Sequence, residues 1–534
     1  MESHESVYKK DIDKVDSQPA RTVIIMMSIM IIGKGLGLLR DRMQAVHFGA
    51  ETAQSIALVQ ANALPRNFLD IMFAAALSAS FIPVFTARLE TKGKREAFEL
   101  ASLFISIAMI FLGIVTVIAL LFAGPIYDFV YIILPSAFGR VDACSVVDVQ
   151  TRYLGINLLR FMFPLMILSG LAFSFTGILQ SLGEFRLPAA MSVVSNGVIL
   201  LYYFLFIDRF GVYGLAIAFL IGWAMQAIIQ IPWLVRHKFR FKFKIDLKQS
   251  GIREIGALTI PVLAASWMLP VNFQVNLIAA GNLYGGVLGV PSLQYAYTLF
   301  TIVSGVFILS VANLIFPKLS RQAAVMDNDG FKSSLCETLR TLFFFLLPLT
   351  MGLMALSQPL VRLVFGGGLF DYTAIDITAR ALYFFSIGIL GYGFQVILCR
   401  ACFAQKDGKT PLIAAVWAIG INAVLSFSLL NLEIAGPALA SAIGISVGSI
   451  IMAVILTRKG YLVWPMSLLI NVAKMIVMAI VMFFVVRYVY DLFVSSHVIL
   501  QIVAPGLAGA FVYIGGCALL RVDIVWNFIN GRFK

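Results

Sequence analysis

Apolar runs long enough to cross a bilayer recur along the whole chain, separated by short polar connections. Fourteen of them lie near 22–39, 56–86, 97–123, 153–182, 187–207, 212–235, 255–282, 291–316, 333–356, 374–403, 411–431, 436–457, 466–489 and 498–520. About 20 helical residues at 1.5 Å each suffice to span about 30 Å of hydrocarbon. In that solvent every backbone N–H and C=O must be paired within the segment, which a helix achieves. The pattern therefore predicts an all-α integral membrane protein with about fourteen transmembrane helices. Residues 1–21 are polar and hold no short apolar core ahead of a small-residue cleavage site, so they read as a cytoplasmic tail and not a secretory signal.

Charge in the connections orients the spans. Connections after even-numbered spans carry Arg88, Lys92, Lys94 and Arg95, then the run RHKFRFKFK at 236–244, then Lys318 and Arg321, then Arg458 and Lys459. Those after odd-numbered spans read DRFG at 208–211, NLYGGVLG at 282–289 and NLEIAG at 431–436, with few cations. Cations accumulate on the cytoplasmic side, and an even span count then places both termini in the cytoplasm.

The chain also repeats itself. FIPVFTARLE at 81–90 is echoed by IFPKLSRQ at 315–322, GILQSLGEFRLPAA at 177–190 by RACFAQKDGKTPLIAA at 400–415, and GLAIAFLIG at 214–222 by GPALASAIG at 436–444. The offsets predict two six-helix lobes, 22–235 and 255–457, joined by a basic cytoplasmic linker at 236–254. The region 458–534 then holds two extra helices and a short cytoplasmic tail. Six is even, so the second lobe starts on the same side as the first and the repeats are parallel, an arrangement that transporters use with a cavity between lobes.

Composition narrows the function classes. Of 534 residues, 60% are hydrophobic and 13% charged, against about 45–50% and about 25% in soluble domains; the mean hydropathy is +0.94. No stretch beyond about 30 residues lacks an apolar run, which excludes nucleotide-hydrolysing cassettes, Rossmann domains and receptor ectodomains. The net charge of +13 points to anionic membrane lipids as partners and not to nucleic acid. The alternation of basic and aromatic residues at 236–244 fits the same interfacial role. Five scattered cysteines and four distant histidines predict neither a disulfide framework nor a metal cluster, and Cys399 and Cys402, a C-x-x-C inside an apolar helix, read as packing.

Charges inside apolar spans cost about 2.5–3.5 kcal/mol each on insertion scales, so their positions point to function. In span one, GKGLGLLRDRM at 33–43 places Lys34 ahead of Arg40 and Asp41 among glycines that invite bending or the close approach of a ligand. In span two, Arg66 and Asp70 are four apart and share a helical face just after Pro65, which weakens the backbone ladder and predicts a kink. These charges line a cavity on one reading; on the other, Arg40, Asp41 and Arg42 snorkel at the outer interface and Arg66 with Asp70 is a structural ion pair. Arg160, Arg380, Arg400 and Lys474 read as structural. No nucleophile or metal-binding constellation occurs in the spans, so a transporter is expected and not an enzyme. An ion-coupled exporter of small amphiphiles, or of another surface polysaccharide precursor, would use Asp70 as its buried carboxylate.

At these residues the chain resembles the bacterial lipid II flippases, the MurJ or MviN family of the multidrug/oligosaccharidyl-lipid/polysaccharide exporter superfamily. G-K-G-L-G-L-L-R-D with Phe48-Gly49-Ala50 looks like the family's first span and its exit; Leu64-Pro65 and Phe81-Ile82-Pro83, then Tyr295-Ala296, Ser304-Gly305, Phe316-Pro317 and Lys409-Thr410-Pro411 follow in order. Position by position, the resemblance puts the family's first cavity arginine on Lys34, its gate pair on Arg40 and Asp41, and its second-span arginine on Asp70, with Arg66 one turn earlier as a substitute. The family's acidic residue after F-G-A falls on Ser55, and its Asp-Arg of span eight on Tyr297 and Thr298.

The resemblance implies a flippase that carries lipid II, or a related polyprenyl-pyrophosphate glycan, from the inner to the outer leaflet of the bacterial inner membrane by alternating access, for peptidoglycan and cell-wall biogenesis. Lys34 and Arg40 would bind the pyrophosphate, helped by Arg66. No cofactor is expected, the drive coming from the membrane potential or an ion gradient, and a monomer is expected. The two C-terminal helices would offer a groove for the lipid tail with Lys474 at its headgroup end.

Overall fold

The computed structural model describes residues 19–66, 80–134, 148–184, 186–246, 248–256, 259, 268–284, 288–405 and 407–529. They are helical almost throughout, and the strand-like pairing among them is an isolated bridge between Gly367 and Phe370. In chain order the helices of the first half are α1 (Pro19–Phe48), α2 (Ala53–Pro65), α3 (Ile82–Leu121), α4 (Ala123–Asp128, continued by a π-turn over Phe129–Ile133), α5 (Val149–Met162), α6 (Leu165–Ser181), α7 (Arg186–Leu205), α8 (Ile207–Ile228) and α9 (Ile231–Arg236). The second half holds α10 (Met268–Ala280), α11 (Gly289–Ala324), α12 (Asn328–Ala355), α13 (Ser357–Phe365), α14 (Tyr372–Ile387), α15 (Ile389–Ala404), α16 (Lys409–Ser428), α17 (Ala435–Arg458), α18 (Met466–Leu492), α19 (Val498–Leu519) and α20 (Asp523–Ile529).

Among the described residues ten helical stretches are long and apolar enough to cross a membrane, and α14 with α15, bent by 46°, makes an eleventh. These coincide with predicted spans three to six and eight to fourteen. Helix α1 occupies the first predicted span, and the second and seventh run through residues outside the described set. The bends sit at glycines. Gly93 adopts φ +84° inside α3 and Gly211 φ +53° inside α8, a region that L side chains avoid, so each separates two straight pieces. Gly388, between α14 and α15, lies so close to α17 that an added Cβ would meet the Ala442 Cα at 2.9 Å.

The chain divides into two compact units. The first comprises residues 1–43, 61–124 and 156–263, the second 44–60, 125–155 and 264–534. In the first, Phe81, Phe85, Leu100, Ile105, Leu234 and Phe239 form a buried core that seats the start of the 236–254 linker on α3. Helix α6 meets α3 where Gly170 leaves room for the Leu112 side chain. In the second unit α18 and α19 pack through Gly509 and Gly516 onto Met482 and Met478, and they join α12 in a core with Phe344, Met475 and Tyr513. Polar ties pin that core: Tyr513 Oη donates to the Phe344 carbonyl at 3.0 Å, and Asp523 receives Asn471 at 2.7 Å and pairs with Arg340 at 3.2 Å.

The glycines of span one, which in the sequence invite bending or the close approach of a ligand, do not interrupt the helix. Helix α1 is continuous from Pro19 to Phe48. Gly33 and Gly37 instead admit α7: a Cβ at Gly33 would collide with Ser192 Oγ, and one at Gly37 would crowd Asn196 at 3.3 Å. Close helix approach over small residues favours packing in a membrane, where no hydrophobic force drives association.

Candidate substrate site

The i, i+4, i+7 positions of a helix lie on one face. On α1 this stripe is Gly33, Gly37 and Arg40, and it faces α7. The two glycines bring the backbones together, and Asn196 bridges the contact by donating through Nδ2 to the Gly33 carbonyl at 3.1 Å. Its Oδ1 accepts from Arg40 Nη1 at 2.9 Å. Arg40 spends its remaining aligned donors on Asp41, with Nε and Nη2 both on Oδ1 at 2.9 and 2.7 Å. The guanidinium also lies 5.7 Å from the Phe219 ring centre on α8. Arg40 is only 8% exposed, so it does not snorkel. It is a buried cation neutralised by a neighbour in sequence and oriented by a residue 156 positions away.

Lys34 and Asp41 are seven apart and share the adjoining stripe. Lys34 is exposed, whereas Asp41 is half-buried beneath Arg40. The Lys34 side chain is thus accessible, while Arg40 is held by Asp41 and Asn196. Arg66 is half-buried where the regular helix of α2 gives way, one residue past Pro65, to wider π geometry. Asp70 lies outside the described residues, and with it the expected Arg66–Asp70 pairing and the kink beyond Pro65. Lys34, Arg40, Asp41 and Arg66 thus all belong to the first compact unit.

The second unit holds a buried polar seam built without charged residues. On α10, Asn272, Gln274 and Asn276 are buried in the N-x-Q-x-N run. Asn422 on α16 donates to the Asn272 carbonyl at 3.0 Å, and Ser426 donates to Asn276 Oδ1 at 3.1 Å. Neither side-chain polar atom of Asn272 has a hydrogen-bond partner among the described residues. Gln274 reaches Tyr131 Oη at 3.1 Å, and Tyr131 and Tyr127 both donate to Gln60. The signal in the sequence was available, since two Asn and a Gln at i, i+2, i+4 of an apolar helix each cost about 1–3 kcal/mol when unpaired. Tyr127 and Tyr131 lie between predicted spans three and four, on α4 and on the π-turn that continues it.

The model of the lipid II flippase MurJ family matches residues 44–504 of this sequence. The chain belongs to that family. It is 25% identical over 458 residues to the "probable lipid II flippase MurJ" of Treponema pallidum, covering 83% of this chain and 82% of the relative. It is 23% identical over 522 residues to the one of Borreliella burgdorferi, covering 95% and 98%. A solved structure, "Lipid II flippase MurJ, inward closed conformation", superposes with a TM-score of 0.75 at 23% identity over 94% of this chain and 100% of that one, and so shares its fold. The protein is a multi-pass membrane transporter of this family, not an enzyme.

Three positions where the resemblance expects charge are occupied otherwise. Ser55 is buried at the start of α2 and donates to the Gly49 carbonyl at 2.8 Å, tying the turn between α1 and α2. Tyr297 stacks on Phe273 at 3.9 Å and 18°, within an aromatic group that includes Phe300 and Phe385. Thr298 donates back to the Gln294 carbonyl at 3.0 Å. Apolar stacking and local hydrogen bonds fill these places, so no unpaired buried charge remains there. The ambiguous cations also find places: Arg380 pairs with Glu433 at 2.7 Å, and Arg400 lies over Phe316 at 5.2 Å. Lys474 is half-buried on α18 and Arg160 is exposed on α5.

Proposed function

We propose that this chain carries lipid II from the inner to the outer leaflet of the bacterial plasma membrane by alternating access, with both termini cytoplasmic. The observation that supports this most is the family match over residues 44–504. The headgroup cannot cross hydrocarbon, and its pyrophosphate requires cations. Lys34 is an exposed cation of α1 and makes the first phosphate contact. Arg40 is then exchanged from Asp41 to the pyrophosphate as the site closes, and Arg66 supplies a second cation where the family's arginine position holds Asp70. Moving about two negative charges outward through a potential negative inside gains about 2.3 kcal/mol per charge per 100 mV, so no nucleotide hydrolysis enters the scheme.

The test is depletion. In cells dependent on this chain, its withdrawal should lead to accumulation of lipid II on the cytoplasmic side. Accumulation of a different polyprenyl-linked glycan, with lipid II unchanged, would reassign the substrate.

The lipid tail is assigned to the face of α18 and α19 beside Lys474. Those helices lie outside the internal repeat and expose Ile470, Val477, Phe484 and Phe511. Photo-crosslinkers at positions 470 and 477 should capture polyprenyl lipid; labelling no stronger than from exposed Leu201 on α7 would remove the groove from the account.

A further inference from the structure

Beyond Gly93, helix α3 runs from Lys94 to Leu121, 28 residues or roughly 42 Å at 1.5 Å each, which exceeds the hydrocarbon thickness by about two turns. Its first turns therefore stand at the membrane surface, on the side where the connection cations accumulate. The linker lies along those turns. Phe239 is buried against Phe98 with ring centres 5.4 Å apart, and the backbone N–H groups of Lys242 and Lys244 donate to Ser102 Oγ at 3.4 Å and Ser106 Oγ at 3.2 Å. A cavity of about 510 Å³ opens between the two.

Its walls are cationic. Lys94 and Arg95 from α3, with Arg236, Lys238, Arg240, Lys242 and Lys244 from the linker, face a single carboxylate, Glu99. Glu99 is engaged by Lys244 at 3.7 Å and by Arg95 at 3.8 Å. Among the described residues the other five cations have no carboxylate within 4.0 Å; Arg236 lies over the Trp233 ring at 4.7 Å. An extended chain turns alternate side chains to opposite sides, so the residues interleaved with Lys242 and Lys244 point away from them. These are Phe241, Phe243 and Ile245, exposed by 49%, 64% and 59%. Positive charge in a concavity and bare apolar side chains at the alternate positions of the segment that walls it match the two halves of an anionic lipid.

We infer that this cavity is a binding site for the phosphate headgroup of an anionic glycerophospholipid, whose acyl chains lie against Phe241, Phe243 and Ile245. The shared chemistry is a phosphate, which a free anion also carries; the exposed apolar residues of the same segment assign it to the lipid. The site shares no residue with Lys34, Arg40 or Arg66, and it stands whether or not the transport reading does.

The full chain in detergent is titrated with dioleoyl phosphatidylglycerol or dioleoyl phosphatidylcholine, and retained lipid is counted by native mass spectrometry. The triple variant Lys238→Gln/Arg240→Gln/Lys242→Gln should lose at least fivefold of the first phosphatidylglycerol adduct. Lys238→Arg/Lys242→Arg should keep it, which separates charge from misfolding. Phe241→Ser/Phe243→Ser should lower it about threefold. Removing three cations elsewhere, Lys318→Gln/Arg321→Gln/Arg458→Gln, should change it less than twofold, and phosphatidylcholine should be indifferent throughout. Equal loss in the two triple variants would mean diffuse attraction only and would overturn the site. Displacement of the adduct by 5 mM inorganic phosphate, with the Phe241/Phe243 variant unaffected, would overturn the lipid as its occupant.

Discussion

Arg40 shows how a single side chain carries both stability and proposed function. Deleting it by Arg40→Ala leaves Asp41 half-buried and uncompensated, at a cost of roughly 3–5 kcal/mol, and should cut membrane abundance sharply. Asn196→Ala removes one hydrogen bond to a charged group and one to the Gly33 carbonyl. It should cost about 1.5–3 kcal/mol, read as a fall in melting temperature with abundance largely kept. An Asn196→Ala protein as stable as the original would show that the α1–α7 bridge contributes nothing. The second pair to separate is Arg66 and Asp70. With Arg66 as the substitute cation, Arg66→Ala should abolish transport and Asp70→Asn should be tolerated; the reverse result, with loss of gradient dependence, would make Asp70 a coupling-ion site. The charges themselves were legible in the sequence because they interrupt apolar runs. The Asn196 partner of Arg40 was not, since no spacing rule links positions 40 and 196, and the seam at Asn272 and Asn276 carried no charge to draw attention.

At the scale of elements, the spans were readable because the hydrocarbon thickness fixes helix length, and their bends were not, because a glycine permits a bend without dictating one. Gly93 and Gly211 take positive φ, whereas Gly33 and Gly37 stay within a continuous helix. The exit from α1 is an instance. Gly49 takes φ +64°, and a Cβ there would sit 2.7 Å from the Leu369 carbonyl. Leu369 N–H in turn donates to the Val46 carbonyl at 2.9 Å, pinning the Gly366–Phe370 loop to this turn. Gly49→Ala therefore combines left-handed strain of about 1–2 kcal/mol with a backbone clash, and should lower the melting temperature by several degrees. An unchanged melting temperature would count against the contact. The turn before α16 makes a pH prediction. Asp407 accepts from the N–H groups of Lys409 and Thr410 and from the Thr410 hydroxyl, and pairs with Lys459 at 2.5 Å. Burial alone would raise its pKa, but the Lys459 ammonium and the Thr410 hydrogen bonds outweigh that and hold it below the usual value. A depressed carboxyl pKa stabilises the fold above the unfolded value, about 3.9, and that contribution is lost only as pH falls through the lower folded one. Hydrogen exchange across 407–410, corrected for intrinsic rates, should be flat from pH 5 to 8 and rise only on acidification below about pH 4. Asp407→Ala should exchange faster throughout and show no such step. Protection that declines between pH 8 and 5 would contradict the assignment.

For the whole molecule, hydropathy and loop charge carried the architecture a long way: eleven spans fall where the apolar runs put them, and the fold matches that of a solved lipid II flippase. What they could not carry was the grouping of segments 44–60 and 125–155 with the second compact unit, which depends on contacts between distant parts of the chain. The central claim is transport of lipid II. The most direct measurement is the leaflet location of lipid II in cells whose flipping depends on this chain alone, read by cleavage with an externally added lipid II hydrolase before and after the chain is inactivated. Externally cleavable lipid II should fall to background on inactivation and stay there in a Lys34→Ala/Arg66→Ala variant of normal abundance. Undiminished cleavage after inactivation, with another polyprenyl-linked glycan retained inside, would contradict the claim.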